Sequence, residues 1–132
     1  MMQKPLIESA ETLYLQFEKR GGLLPTIVQD AHSKEILMLG YVNQEAFDET
    51  LHSGYATFWS TSRQELWTKG KTSGDLLKIE GILVDCDQDA LIYQVTALGS
   101  GACHTKNQHG KARKSCFYRS INPNKKLDNL EP

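Results

Sequence analysis

Three aspartates stand at every second position of one short segment, Asp85-Cys86-Asp87-Gln88-Asp89. In an extended chain alternate side chains share a face, so the three carboxylates are expected to lie together, with Cys86 on the opposite face. Closely spaced carboxylates repel one another unless a cation lies among them, and Mg²⁺ and Ca²⁺ prefer oxygen ligands. The spacing therefore predicts a site for a hard divalent cation, with a solvated acidic turn as the alternative.

The chain has three cysteines, Cys86, Cys103 and Cys116, an odd number that does not indicate a disulfide framework. Three thiolates suit Zn²⁺ and leave its fourth position open for water, as in catalytic zinc sites. Three unrelated buried thiols are the alternative. If Cys86 faces away from the aspartates, a symmetric dimer is one way to bring Cys86 of one subunit to the other two. His104, next to Cys103, is a candidate ligand or proton carrier.

A second polar cluster occupies residues 59–74. Its basic and hydroxyl side chains suit phosphate groups, and its tryptophans suit stacking on a heterocycle. The segment is not a P-loop, because G-x-x-x-x-G-K-[ST] is absent, and Trp59 is equally expected in a core. The candidate substrate-binding residues are Trp59, Arg63, Trp67, Lys69, Lys71, Thr72 and Ser73.

Length and composition indicate one domain of 132 residues, 39% hydrophobic before its 10 glycines are counted. Fifteen Lys and Arg against 16 Asp and Glu give a net charge of −1, so a nucleic-acid partner is not expected. The apolar runs are far shorter than the roughly 20 residues of a membrane span. The N-terminus lacks the apolar region of a secretory signal, so we expect a cytoplasmic protein without a membrane partner.

Hydrophobic spacing predicts two helices. The first covers residues 6–20 and ends before Gly21-Gly22. The second is capped by Asn43, ends at Gly54 and presents one apolar face. That face is expected to contain Ala46, Phe47, Thr50 and Leu51.

Branched and aromatic runs predict the strands, beginning with a hairpin of residues 24–29 and 35–42 and continuing with residues 55–60, 76–86, 90–98 and 115–121. Residues 99–114 read as a long functional loop. Residues 122–132 read as a poorly ordered C-terminal tail. Because the helices come early and do not alternate with the strands, we expect an α+β fold on a mostly antiparallel sheet.

Five stretches in order resemble the phosphoribosyl-AMP cyclohydrolase family, whose members act in the third step of histidine biosynthesis. The stretches are LMLGYVNQEA at 37–46, FWSTSRQELWTKGKTSG at 58–74, VDCDQDALIYQV at 84–95, GACHT at 101–105 and SCFYR at 115–119. The resemblance implies a single cyclohydrolase domain over residues 1–121. Some family members are fused to a C-terminal pyrophosphohydrolase domain; since this sequence ends at Pro132, we expect it to lack that second activity.

The resemblance also implies an intertwined homodimer with its active sites at the subunit interface. Zinc would be held by Cys86 of one subunit and by Cys103 and Cys116 of the other. Magnesium would be held by Asp85, Asp87 and Asp89. The segment between Cys103 and Cys116 is longer than in many family members, which leaves the roles of His109, Lys111 and Arg113 open.

The implied substrate is phosphoribosyl-AMP, an adenine ring carrying ribosyl phosphates at N1 and N9. Zinc would activate water to attack C6, and His104 would protonate N1 as the N1–C6 bond breaks. A non-catalytic interaction module stabilised by zinc needs the same thiols but gives no reason for the aspartates. A nucleobase deaminase is disfavoured, because His-x-Glu with Pro-Cys-x-x-Cys is absent.

Overall fold

The computed structural model describes residues 4–132, with side chains from residue 6 onwards. It contains two α-helices, one 3₁₀ helix at Glu18–Arg20 and eight strands. The helices are α1 (Lys4–Ser9) and α2 (Gln44–Ser53). The strands are β1 (Leu24–Asp30), β2 (Ile36–Val42), β3 (Thr57–Ser60), β4 (Glu65–Thr68), β5 (Leu77–Val84), β6 (Leu91–Ala97), β7 (Arg119–Ile121) and β8 (Leu127–Asn129).

A four-stranded sheet in the order β2-β1-β6-β5 forms the centre of the fold. The β1–β2 and β5–β6 pairs are antiparallel, and the central β1–β6 pair is parallel. Burial alternates along β1 and β6, so one sheet face carries residues such as Val28, Tyr93 and Val95 into the core. Helix α2 and the β3–β4 hairpin flank β2. The predicted α+β fold with a mostly antiparallel sheet is confirmed.

Helix α2 begins and ends as its sequence predicts. The Asn43 side chain accepts a hydrogen bond from the Ala46 backbone N–H at 2.8 Å, and Gly54 ends the helix with φ of 82°. Ala46, Phe47 and Thr50 are buried as expected. Leu51 is 58% exposed, so its assignment to the buried face is wrong. It lies at the border of the stripe that packs on the strands.

The prediction of one helix over residues 6–20 is wrong, because α1 ends at Ser9 and only Glu18–Arg20 are helical again. The intervening backbone bonds to another part of the chain. The Tyr14 N–H donates to Oε1 of Gln88 at 2.6 Å, and the Gln16 N–H donates to the Gln88 carbonyl at 2.8 Å. These long-range bonds replace the i→i−4 bonds of the predicted helix.

Most predicted strands are present with slightly shorter bounds, but two were not predicted. Strand β4 lies inside the polar cluster and pairs with β3. Strand β8 lies in the segment expected to be a poorly ordered tail and pairs with β7. The turn between them is stabilised by Asn122, whose side chain accepts hydrogen bonds from the N–H groups of Asn124 and Lys126, both at 3.0 Å. No helix within residues 4–132 is long and apolar enough to cross a membrane.

Candidate active site

The three aspartates meet in a tight turn between β5 and β6, where their carboxylate oxygens lie within 4.8 Å of one another. The segment is not extended. The Asp85 carboxylate accepts hydrogen bonds from the backbone N–H groups of Asp89 at 2.9 Å and Ala90 at 3.1 Å. Gln88 has a φ of 56° within this turn. The carboxylates therefore converge as predicted, although turn geometry and not strand alternation brings them together.

Two basic side chains from the 3₁₀ helix contact this acidic turn. Nζ of Lys19 lies 2.7 Å from Asp89 and 3.1 Å from Asp87, and the Arg20 guanidinium lies 2.9 Å from Asp89. Burial alone would raise the pKa of Asp89, but the Lys19 hydrogen bond, with further bonds from Asp87 and Asp85, holds that pKa well below its usual range. Burial also raises the pKa of Asp85. The turn thus concentrates negative charge that attracts cations.

Cys103 and Cys116 are neighbours, close enough for each thiol to change the pKa of the other. The Cys103 N–H donates to the Arg113 carbonyl at 3.1 Å, and the Cys116 N–H donates to the Leu37 carbonyl at 2.7 Å. Cys116 is exposed as a residue, but partial desolvation of its thiol, with the neighbouring Cys103, raises its pKa to about 11. Burial opposes ionisation of Cys103 as well, but hydrogen bonds from Thr105 and Cys116 lower its pKa overall. The pair therefore holds a thiolate most readily at Cys103.

Cys86 is exposed on the acidic turn. Among residues 4–132, the three aspartates are the only group of three or more His, Cys, Asp or Glu side chains close enough to hold one ion. A single chain thus brings two of the predicted zinc ligands together and leaves Cys86 apart.

A pocket of 390 Å³ opens beside Cys116, and we call it the main pocket. Exposed His104 also lines it. Six of the seven candidate substrate-binding residues lie in its wall: Arg63, Trp67, Lys69, Lys71, Thr72 and Ser73. Trp59 lies instead in a neighbouring groove with Tyr41, which Arg63 and Trp67 also line. The structure thus gathers the candidate residues around the thiol pair, except for Trp59, Cys86 and the aspartates.

Local structure positions the polar wall of the main pocket. Trp67 pairs with Phe58 across the β3–β4 hairpin, and their ring centroids are 5.6 Å apart. Gly70 adopts a φ of 83° with its Cα against the backbone of Asp75 and Leu76, a position that admits no side chain. Lys69 is only 8% exposed, and its N–H donates to the Ala56 carbonyl at 3.1 Å. Within residues 4–132, its ammonium makes no ion pair.

Sequence reasoning missed several residues of these sites. Lys19 and Arg20 reach the aspartates from a distant part of the chain, and no spacing rule connects them. Met38, Leu66 and Ala102 line the main pocket. Their hydrophobic character indicated only burial, so nothing in the sequence marked them as pocket residues.

Most of the chain is similar to known proteins. Residues 38–118 match the family model described as phosphoribosyl-AMP cyclohydrolase. Relatives bearing that name include a protein from Desulfatibacillum aliphaticivorans, 50% identical over 84% of each chain. Others come from Streptococcus gordonii and Archaeoglobus fulgidus, each 50% identical over 81% of this chain and over 88% and 92% of their own lengths. The chain belongs to the phosphoribosyl-AMP cyclohydrolase family, a family of hydrolytic enzymes.

Proposed function

We propose that this protein hydrolyses the N1–C6 bond of the adenine ring of phosphoribosyl-AMP, as the third step of histidine biosynthesis. The observation that carries the proposal is the convergence of basic, hydroxyl and aromatic side chains on one pocket beside a thiol pair. The names of the relatives at 50% identity support the same reaction.

The main pocket suits a nucleotide carrying phosphate groups. Arg63 and Lys71 are exposed cations in its wall, and Lys69, most of whose surface is buried, adds a third. Hydroxyl groups of Thr72 and Ser73 add hydrogen-bond donors for phosphate oxygens. Trp67 offers an aromatic surface for the purine ring. These residues bind and orient the substrate.

Two metal ions fit the donor groups. Cys103 and Cys116 supply two adjacent soft ligands for zinc, and Cys86 of a second subunit would supply the third. When bound there, zinc supplies a nucleophile at neutral pH by lowering the pKa of water towards 7. The oxygen donors Asp85, Asp87 and Asp89 suit magnesium, and Lys19 would have to yield its place beside them.

His104 lies in the pocket wall beside Cys116 and has an exposed side chain. Addition of hydroxide to C6 makes that carbon tetrahedral, and collapse of this state breaks the N1–C6 bond. The bond electrons move to N1, where a proton is needed. His104 donates that proton as the general acid, since an imidazolium can do so near neutral pH.

A homodimer would complete the thiol site, and the outer face of the sheet supports one. On the central strands, Ile27 lies opposite Ile92. On the edge strands, Leu39 lies opposite Ile27 and Leu83 lies opposite Ile92. The four side chains form one apolar row across the sheet. Leu39 and Leu83 are 44% and 48% exposed. A second copy of the chain would cover this row.

Substitution of the thiols tests the proposal. We expect Cys103→Ala and Cys116→Ala each to remove bound zinc, measured by elemental analysis, together with hydrolysis of phosphoribosyl-AMP. Ser120→Ala, on exposed strand β7, is the control and should keep both. Full turnover by a zinc-free variant would refute the assignment. Folding that depends on zinc in a protein without hydrolase activity would support a zinc-stabilised interaction module.

A further inference from the structure

A second pocket, of 420 Å³, adjoins the main pocket and is lined by Cys103. We call it the loop pocket, because residues 100–112 form most of its wall. It shares Lys69, Ser73 and His104 with the main pocket. Cys116 lines the main pocket and Cys103 lines the loop pocket. The thiol pair therefore lies at the junction of two pockets.

The segment that forms the loop pocket is ordered by its own hydrogen bonds. The Arg113 N–H donates to the Thr105 carbonyl at 3.0 Å, and Lys106 and Ala112 form a β-bridge. At the tip the Asn107 side chain accepts hydrogen bonds from the N–H groups of His109 at 2.9 Å and Lys111 at 3.1 Å. The long segment is thus a small hairpin that fixes the backbone of Lys106 and Lys111 at the pocket.

The basic residues of this hairpin divide into two groups. Arg113 is engaged, since it donates to the Glu131 carbonyl at 2.7 Å and stacks on the Tyr118 ring at 4.2 Å. Lys114 pairs with Glu35 at 3.1 Å. Lys106 and Lys111 make no ion pair within the described part of the chain, and both line the loop pocket. They remain available to an external anion.

The charge balance of the loop pocket also points to an anion. Its wall contains three lysines and only one carboxylate, that of Asp75. The Asp75 carboxylate already accepts hydrogen bonds from the N–H and hydroxyl of Ser100, at 2.9 and 3.3 Å. Lys69 is more than nine-tenths buried, and its ammonium makes no ion pair among the described residues. An anionic ligand in the loop pocket would give the Lys69 ammonium a charged partner.

We propose that the loop pocket is a second phosphate subsite, formed by Lys106, Lys111 and the shared Lys69. This inference rests on the proposed function, whose substrate carries two phosphoribosyl arms on different sides of one ring. One arm would enter each pocket. The adenine ring would then lie at the junction, beside the thiol pair and His104.

The double variant Lys106→Gln/Lys111→Gln tests the subsite, with Lys125→Gln/Lys126→Gln of the β7–β8 turn as a control of equal charge. We expect the first variant to raise KM for phosphoribosyl-AMP by about tenfold or more, the loss typical of a charged hydrogen bond. Its kcat should change far less, because neither lysine contacts the reacting atoms. The control variant should match the wild type. Unchanged KM in both variants would overturn the proposal.

A binding measurement separates this proposal from the proposed function. Ribose 5-phosphate is titrated into metal-free protein and followed by amide chemical shifts in NMR. We expect shifts in residues 104–112 of the wild type and of the control, and at least about tenfold weaker binding by Lys106→Gln/Lys111→Gln. Such binding without turnover of phosphoribosyl-AMP would support the subsite while the reaction fails. Turnover with no shifts in this segment would overturn the subsite alone.

Discussion

At the scale of single residues, the acidic turn depends on charge balance. Asp89 is 2% exposed, and burying its carboxylate is compensated by Lys19 and Arg20, at 2.7 and 2.9 Å. The same contacts hold residues 10–20 against the turn, together with the hydrogen bonds of Gln88 to Tyr14 and Gln16. In the absence of a divalent cation, the ionisation of Asp89 therefore supports the local structure.

Asp89→Asn tests this coupling through the pH dependence of stability. The folded-state pKa of Asp89 is depressed, so its contribution to stability is fully present above the unfolded value of about 3.9 and is lost progressively as pH falls from there through the lower folded-state pKa. We expect the wild type to exceed Asp89→Asn in free energy of unfolding near pH 6, and this difference to begin shrinking below about pH 4 and to keep shrinking towards about pH 2. Urea denaturation with a chelator present measures the difference.

Asp128→Asn, at an exposed position of β8, is the matched control and should show little difference at any pH. A wild-type advantage over Asp89→Asn that stays constant from about pH 6 to about pH 2 would contradict the role assigned to the ionised carboxylate.

Residue types and spacing were enough to predict the aspartate cluster and most of the main pocket. They were not enough to predict Lys19 and Arg20, whose contacts to Asp89 join positions 70 and 69 residues apart in the chain. Trp59 was grouped with the pocket because it is close in sequence. Its strand places it in the adjoining groove with Tyr41.

At the scale of elements, the segment from Lys69 to Asp75 determines the shape of both pockets. Gly70 allows this segment to fold back on itself, and the Gly74 N–H donates to the Gly70 carbonyl at 2.8 Å. Both glycines have positive φ, 83° and 86°, but only Gly70 is packed against backbone. Alanine substitutions at the two positions therefore distinguish the effect of close packing from the effect of backbone conformation.

Gly70→Ala is expected to destabilise the protein by about 2 kcal/mol or more, because the added Cβ would overlap the backbone of Asp75 and Leu76. It should also raise KM, since Lys69 and Lys71 would move. Gly74→Ala meets open space and should cost only about 1 kcal/mol, from its positive φ. Urea denaturation and steady-state kinetics measure both effects. Equal losses in the two variants would show that close packing at Gly70 is unimportant.

Element prediction succeeded where local signals decide the structure. Helix α2 has its Asn43 cap and Gly54 terminus, and β1 and β6 have clear alternation. It failed for residues 10–17, where hydrogen bonds to Gln88 override helical spacing. It also failed for the segment after Ile121, because a turn built on Asn122 pairs two strands of only three residues each.

At the scale of the whole molecule, the proposed zinc site requires two copies of the chain. One chain places Cys103 beside Cys116 but leaves Cys86 apart on the acidic turn. The apolar row from Leu39 to Leu83 offers a surface for a second copy. Strand alternation, which would turn Cys86 away from the aspartates, indicated such a partner from the sequence. The segment is a turn and not a strand. The reason to expect a second subunit is therefore the separation of Cys86 from the other two thiols.

Mixing two inactive variants tests whether the zinc site is shared. Cys86→Ser and Cys103→Ser should each be inactive alone. A hybrid dimer would contain one complete site, with Cys86 of one subunit and the thiol pair of the other. Co-refolding equal amounts should therefore restore activity to about a quarter of the wild type, as random pairing predicts. A mixture as inactive as its parents would contradict ligation across the interface.

The most direct test of the account is incubation of the purified protein with phosphoribosyl-AMP, zinc and magnesium, followed by mass spectrometry, with a chelated sample in parallel. The account predicts a product heavier by one water, whose formation stops when the metals are removed. Failure of a folded, zinc-loaded protein to convert the substrate, or equal conversion in the chelated sample, would contradict it.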